Sequence, residues 1–171
     1  MNKVIAFSQI PSQSILLEGF SEFHYVDCFA VDYPGSESID ANVTRLFATP
    51  SWTDLLMVVR DKLVGVFGLK TDKKNEHHIA QRYEVGERAV MFSVIARNEN
   101  EIVMGENDKH LNFRTSVLKA NGRVYSMTAV KYNNFFGRFY FFFVKPFHTL
   151  IIKSSLKRLL PKKLIALSKN D

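Results

Sequence analysis

The run from Glu106 to Arg114 places Asp108, His110 and Arg114 close together in the chain. Side chains alternate along a strand, so His110, Asn112, Arg114 and Ser116 share one face, and Leu111, Phe113 and Val117 take the other. Such a set could hold a small polar substrate, with Asp108 and His110 as an acid/base pair and Arg114 as an anion clamp. The same residues also suit a solvated outer face, on which Glu106 and Asp108 pair with Arg114 and His110.

A second candidate lies earlier. Asp27 and Asp32 fall in an apolar run with Tyr25, Cys28, Phe29 and Val31, five residues apart and so on opposite faces of a strand. One of them is expected to face inward or to sit at the mouth of a cavity, where a carboxylate needs a partner. Arg114 or Arg138 is expected to supply it, and Asp27 and Arg138 are taken as polar ligand-binding candidates.

Other chemistry is poorly provided for. His77 and His78 are adjacent, point apart on an extended segment and have no Cys or acid cluster to complete a metal site. The eight glycines form no phosphate loop, and no nucleophile elbow or zinc helix is present. No cofactor and no metal are expected. Cys28 is the single cysteine and reads as a small buried residue in a reducing compartment. The Asn42-Val-Thr44 sequon carries no meaning in a cytoplasmic protein. No run is long enough for a signal peptide or a spanning helix, so the expected location is the cytoplasm.

The elements that must position these residues follow from periodicity. The 171 residues suit one domain with an ordinary apolar fraction of 46%. Residues 1–22 read as an irregular lead-in. Phe23 to Tyr33 reads as a strand, and Asp40 to Ala48 as a short helix capped by Asp40. Ser51 to Phe67 reads as a second helix, with Trp52, Leu55, Leu56, Val59, Leu63, Val66 and Phe67 on one face. Strands are expected over Glu87–Arg97, Glu101–Glu106, His110–Lys119 and Arg123–Tyr132, the last two joined through Asn121-Gly122; Ile79–Val85 is a weaker candidate. From Phe135 the period lengthens to a helix that runs to Leu160, kinked at Pro146, with residues 161–171 as a tail. The predicted fold is α+β: an antiparallel sheet of six or seven strands, two short helices after the first strand, and a long C-terminal helix across the sheet.

The segment from Gly105 through Arg114 to Val117, with Phe67-Gly-Leu-Lys-Thr71, Gly137-Arg138 and Pro146-Phe147-His148, resembles a bacterial family named as domain of unknown function 2867. The resemblance spans about residues 4 to 155. It implies a helix-grip fold related to Bet v 1-like and lipid-transfer proteins, in which a cavity separates helix and sheet. Asn112 stands where an acid often follows the His-Leu pair in that pattern, which tells against transferring acid/base chemistry.

Seven Phe and one Tyr fall between residues 135 and 147, more than one helix face can bury against a core. The leading expectation is a noncatalytic module for an apolar or amphipathic small molecule, lined by Phe139, Phe142, Phe143 and Met127. The alternative in another class is the enzyme built on Asp108, His110 and Arg114. A third reading uses charge. Residues 1–108 carry 16 acids and 10 bases, whereas residues 109–171 carry 13 bases and one acid. Lys153, Lys157, Arg158, Lys162 and Lys163, with Leu156, Leu159 and Leu160 alongside, would form a basic amphipathic end for an anionic membrane. Nucleic acid is the poorer partner, because the helix lacks interleaved exposed aromatics and known reading motifs. The oligomeric state stays open, a homodimer included.

Overall fold

The computed structural model describes residues 3–47, 80–90 and 92–160. Seven strands form one antiparallel sheet: β1 (Ile5–Ala6), β2 (Tyr25–Asp32), β3 (Arg88–Ala89), β4 (Phe92–Arg97), β5 (Glu101–Asn107), β6 (Leu111–Ala120) and β7 (Arg123–Tyr132). Their spatial order is β1-β2-β7-β6-β5-β4-β3. The last five form a meander, and β2 joins it by pairing with β7 along its whole length. Two helices complete the described elements, α1 (Ile39–Phe47) and α2 (Phe135–Lys157). The expected second helix over residues 51–67 lies outside the described residues.

The β6–β7 hairpin forms where the Asn-Gly pair predicts it, with Asn121 at φ 52° and Gly122 at φ 70°, the left-handed pair that a tight hairpin turn requires. Elsewhere the strands depart from expectation. Glu87–Arg97 is not one strand but the short β3–β4 pair, with Val90 at φ 57° in the connection between them. A register shift between Val94 and Ala96 then breaks the alternation assumed along that run. Residues 80–85 form no strand. Instead, Tyr83 inserts into the core, its N–H donating to Asp40 Oδ1 at 2.8 Å and its hydroxyl meeting Thr44 Oγ1 at 2.7 Å.

That contact also corrects the role of Asp40. Ser38 caps α1, its Oγ accepting from the Ala41 N–H at 3.2 Å. Asp40 is buried and pairs with Arg97 at 3.1 Å, while Arg97 also donates to the Tyr83 carbonyl. A buried carboxylate needs such a partner, and here the pair ties α1 to β4.

Both sheet faces are covered. On one, Phe29, Val31, Val94, Ile102, Met104, Val117 and Val124 pack with residues of α1 and with Ile152 and Leu156 of α2. On the other, Cys28, Ala30, Val103, Leu118, Tyr125 and Met127 pack beneath Leu16 and Phe20. Residues 7–20 thus cover the second face. Glu101, fully buried, holds them down: Ser14 Oγ donates to it at 2.7 Å and the Ile15 N–H at 2.8 Å. No helix among the described residues is long and apolar enough to cross a membrane.

Candidate functional site

Helix α2 lies against β2 and β7. Its inward side carries Phe141, Ile152, Ser155 and Leu156. Between them His148 reaches down to the sheet. Its Nε2 sits 3.1 Å from Asp27 Oδ2, which also accepts from the Tyr25 hydroxyl at 2.7 Å. The ring of Phe141 packs on Tyr25 with centroids 4.8 Å apart, and the Lys145 ammonium lies 4.8 Å from the Tyr25 centroid on the outer side.

This cluster is largely withdrawn from water. The Asp27 side chain is 8% exposed and that of His148 20%. Burial, followed by the Asp27 carboxylate, raises the Tyr25 hydroxyl pKa well above its ordinary value, so the phenol stays protonated and donates. Asp27 Oδ1 is buried and has no hydrogen-bond partner among the described residues. An unsatisfied buried carboxylate oxygen is costly, and a donor brought to it recovers that cost.

The sheet extends the polar ground. Thr128 pairs with Asp27 in register on β7, and Thr115 pairs with Thr128 on β6. Both threonines are buried. Thr115 Oγ1 donates to the Met127 carbonyl at 3.0 Å and lies 3.4 Å from Thr128 Oγ1. A row of Asp, Thr and Thr therefore crosses three strands on the helix-facing side of the sheet.

Asp27 does face inward, and its partners are His148 and Tyr25 rather than Arg114 or Arg138. Asp32 lies on the other face and pairs with Arg123 at 2.9 Å. Arg138 is exposed on the outer side of α2. Cys28 is buried next to Asp27 in sequence, and burial and that carboxylate push its thiol up to about 11, far from a nucleophile's range.

The three residues of the proposed polar site do not converge. Asp108 Oδ1 accepts from the His110 backbone N–H at 3.0 Å, not from its ring. The His110 ring lies 3.1 Å from Asn134 Oδ1 and is half-buried. Arg114 instead donates to Asn107 at 2.9 Å and stacks over Phe20 at 4.9 Å, beneath the lead-in, where burial lowers its pKa. The segment is a lock for α2. Asn134 caps the helix by accepting from the Gly137 N–H at 3.1 Å and donates to the Lys109 carbonyl at 3.1 Å. Asn133 donates to the Asp108 carbonyl at 2.7 Å. Gly137 lies so close to this turn that a Cβ there would meet the His110 carbonyl oxygen at 1.9 Å.

The aromatic candidates are also placed differently. Met127 packs on the lead-in side of the sheet, away from α2. Phe139, Phe142 and Phe143 stand on the outer side of the helix, Phe142 being 74% exposed. The leucines of the basic end are not free, because Leu156, Leu159 and Leu160 are buried in the core. Lys153 and Lys157 are exposed and Arg158 is half-buried; Lys162 and Lys163 lie outside the described residues.

Two open clefts, of about 530 and 570 Å³, flank the Asn121-Gly122 hairpin. Four charged groups lining the first are committed to the fold: Arg97 pairs with Asp40, Glu37 with Arg45, and Lys119 donates to the Glu37 carbonyl. Among the described residues no group of three or more His, Cys, Asp or Glu side chains could hold a metal ion.

Sequence reasoning missed His148 as the partner of Asp27, although the histidine belongs to a motif already singled out. It also missed Thr115 and Thr128, which the strand alternation marks as polar on the helix-facing side. Comparison with the curated proteins and with the solved structures returns no match. The family model for "Protein of unknown function (DUF2867)" matches residues 20–155, and the chain belongs to that family.

Proposed function

We propose that the chain is a noncatalytic module that binds an amphipathic small molecule in the layer between α2 and the sheet. The observation that carries this reading is the buried Asp27 Oδ1, unpartnered among the described residues and set among Tyr25, His148 and Thr128. The molecule's polar end bears a hydroxyl, amine or amide N–H that donates to this oxygen. Its apolar part lies along the helix-facing rings, of which Phe92 and Phe113 meet edge to face at 5.1 Å and are half-buried. A long helix along an antiparallel sheet is the helix-grip arrangement, and this resemblance supports a ligand in that layer. The protein is taken as cytoplasmic. Met127, Phe139, Phe142 and Phe143 have no part in this site.

Native mass spectrometry of the purified protein, with extraction of bound small molecules, tests the reading. A ligand that accompanies the wild-type chain and is depleted at least about tenfold by Asp27→Asn fits the loss of a charge-assisted hydrogen bond. Wild-type protein that carries no ligand and takes up none from a mixture of amphipathic amines, alcohols and lipids would sink it.

A further inference from the structure

The outer side of α2 is the largest feature that the ligand site does not use. Phe135, Phe139, Phe142, Phe143, Phe147 and Leu150 follow the spacing of a single helical stripe, and each is between 47% and 75% exposed. The stripe is roughly 22 Å long. Its rings pack on one another rather than into the protein, Phe139 on Phe143 at 5.0 Å and Phe142 on Phe143 at 5.3 Å. Pro146 is exposed within the same stripe, so the backbone bond it lacks lies on the outer side.

Charge decides what such a face fits. Arg138 flanks the stripe and Lys157 continues it beyond Leu150; Lys145 and Lys153 are exposed too but hold their ammonium groups over the Tyr25 and Phe29 rings of β2. The helix holds no acid, and none occurs between Asp108 and Asp171. A second copy would bring a like-charged face against this one. Residues 51–67 carry two acids and two bases, a neutral set with nothing to offer four cations. Nucleic acid would meet the cations but would gain little from six apolar side chains. A surface that is anionic at the headgroups and apolar a few ångströms deeper satisfies both halves.

We infer that the aromatic stripe of α2 is a docking surface for an anionic lipid bilayer, with the helix lying in the plane of the headgroups. Phe135 to Leu150 enter the acyl boundary. Arg138 and Lys157 remain at headgroup level, where cations are drawn to negative surface potential. The inward side of the helix keeps its contacts with β2 and β7, so the fold need not open. This surface is separate from the Asp27 site, and either can fail alone.

The test is co-sedimentation of the full chain with vesicles of phosphatidylcholine alone or mixed with phosphatidylglycerol, at low and moderate salt. The expected result is salt-sensitive binding to the anionic vesicles and little to the neutral ones. Arg138→Gln and Lys157→Gln should each weaken it roughly fivefold. The double variant F142S/F143S should weaken it by at least about tenfold, with the melting temperature unchanged because neither ring supports the core. The inference is overturned by an absence of binding to anionic vesicles at low salt, or by full binding of the F142S/F143S variant. A dimer that this variant dissolves would assign the stripe to a second copy. A large drop in its melting temperature would assign the stripe to this chain's own residues. Either result overturns the bilayer as partner.

Discussion

The turn between β5 and β6 and the layer beneath α2 both gather a histidine, a carboxylate and hydroxyl or amide groups, but they use them in opposite ways. At the turn, Asp108, His110, Asn133 and Asn134 spend their hydrogen bonds on backbone groups and on each other, in the open. Beneath the helix, Asp27 and His148 bond side chain to side chain out of water, and one carboxylate oxygen has no partner among the described residues. The first arrangement is architecture. It fixes the start of α2 against the sheet. The second leaves a buried acceptor, on which the proposed ligand site rests. Residue types alone do not separate the two; burial and the fate of each lone pair do.

Breaking the lock should have the largest effect on stability. Gly137→Ala sets a methyl group against the His110 carbonyl oxygen, so α2 must shift at its origin. We expect a loss of about 3 kcal/mol, read by chemical denaturation. A variant as stable as the wild type would mean that the turn does not fix the helix.

Alkaline pH probes the opposite sheet face, where Cys28 packs beneath the lead-in. The Cys28 thiol is raised in the folded chain, so its contribution is complete below the unfolded value of 9.0 and is lost as pH rises through about 11. Folding should therefore weaken by about 2 kcal/mol over that window from this group alone. Cys28→Ala should remove that part of the alkaline loss in denaturation curves taken at successive pH values. An unchanged pH profile would contradict the thiol's assigned burial.

His148→Ala should cost about 1–2 kcal/mol, because it strips Asp27 of a partner in a buried setting. It should also reduce ligand retention together with Asp27→Asn. The smallest effect should come from His110→Ala, whose half-buried ring has one side-chain hydrogen bond, to Asn134. We expect less than about 1 kcal/mol and no change in any bound ligand. Ligand loss on His110→Ala, without loss on His148→Ala, would reverse the comparison.

Local signals carried much of the fold. The Asn121-Gly122 turn, the alternation of β2 and β7, and the Phe-rich start of α2 are all readable because each is decided within about ten residues. The cover over the second sheet face was not readable. Phe7, Ile10, Ile15, Leu16 and Phe20 follow no period, and what holds them is Glu101, more than 80 residues away. Val90 with its left-handed φ lies inside an apparently continuous strand pattern and hides the β3–β4 turn. The site was legible only in part. Alternation puts either Asp27 or Asp32 inside, but the partner of Asp27 lies 121 residues along the chain on another element. Seven Phe in thirteen residues signalled more apolar surface than a core can take, but not that the surplus would face outward.

The central claim is that the layer under α2 holds a ligand at Asp27. A high-resolution crystal structure of the protein as purified tests it most directly. The account predicts continuous density for an amphipathic molecule with a donor atom within hydrogen-bond distance of Asp27 Oδ1, roughly 3 Å. The contradicting result is a close-packed layer in which a protein group satisfies Oδ1 and no ligand fits.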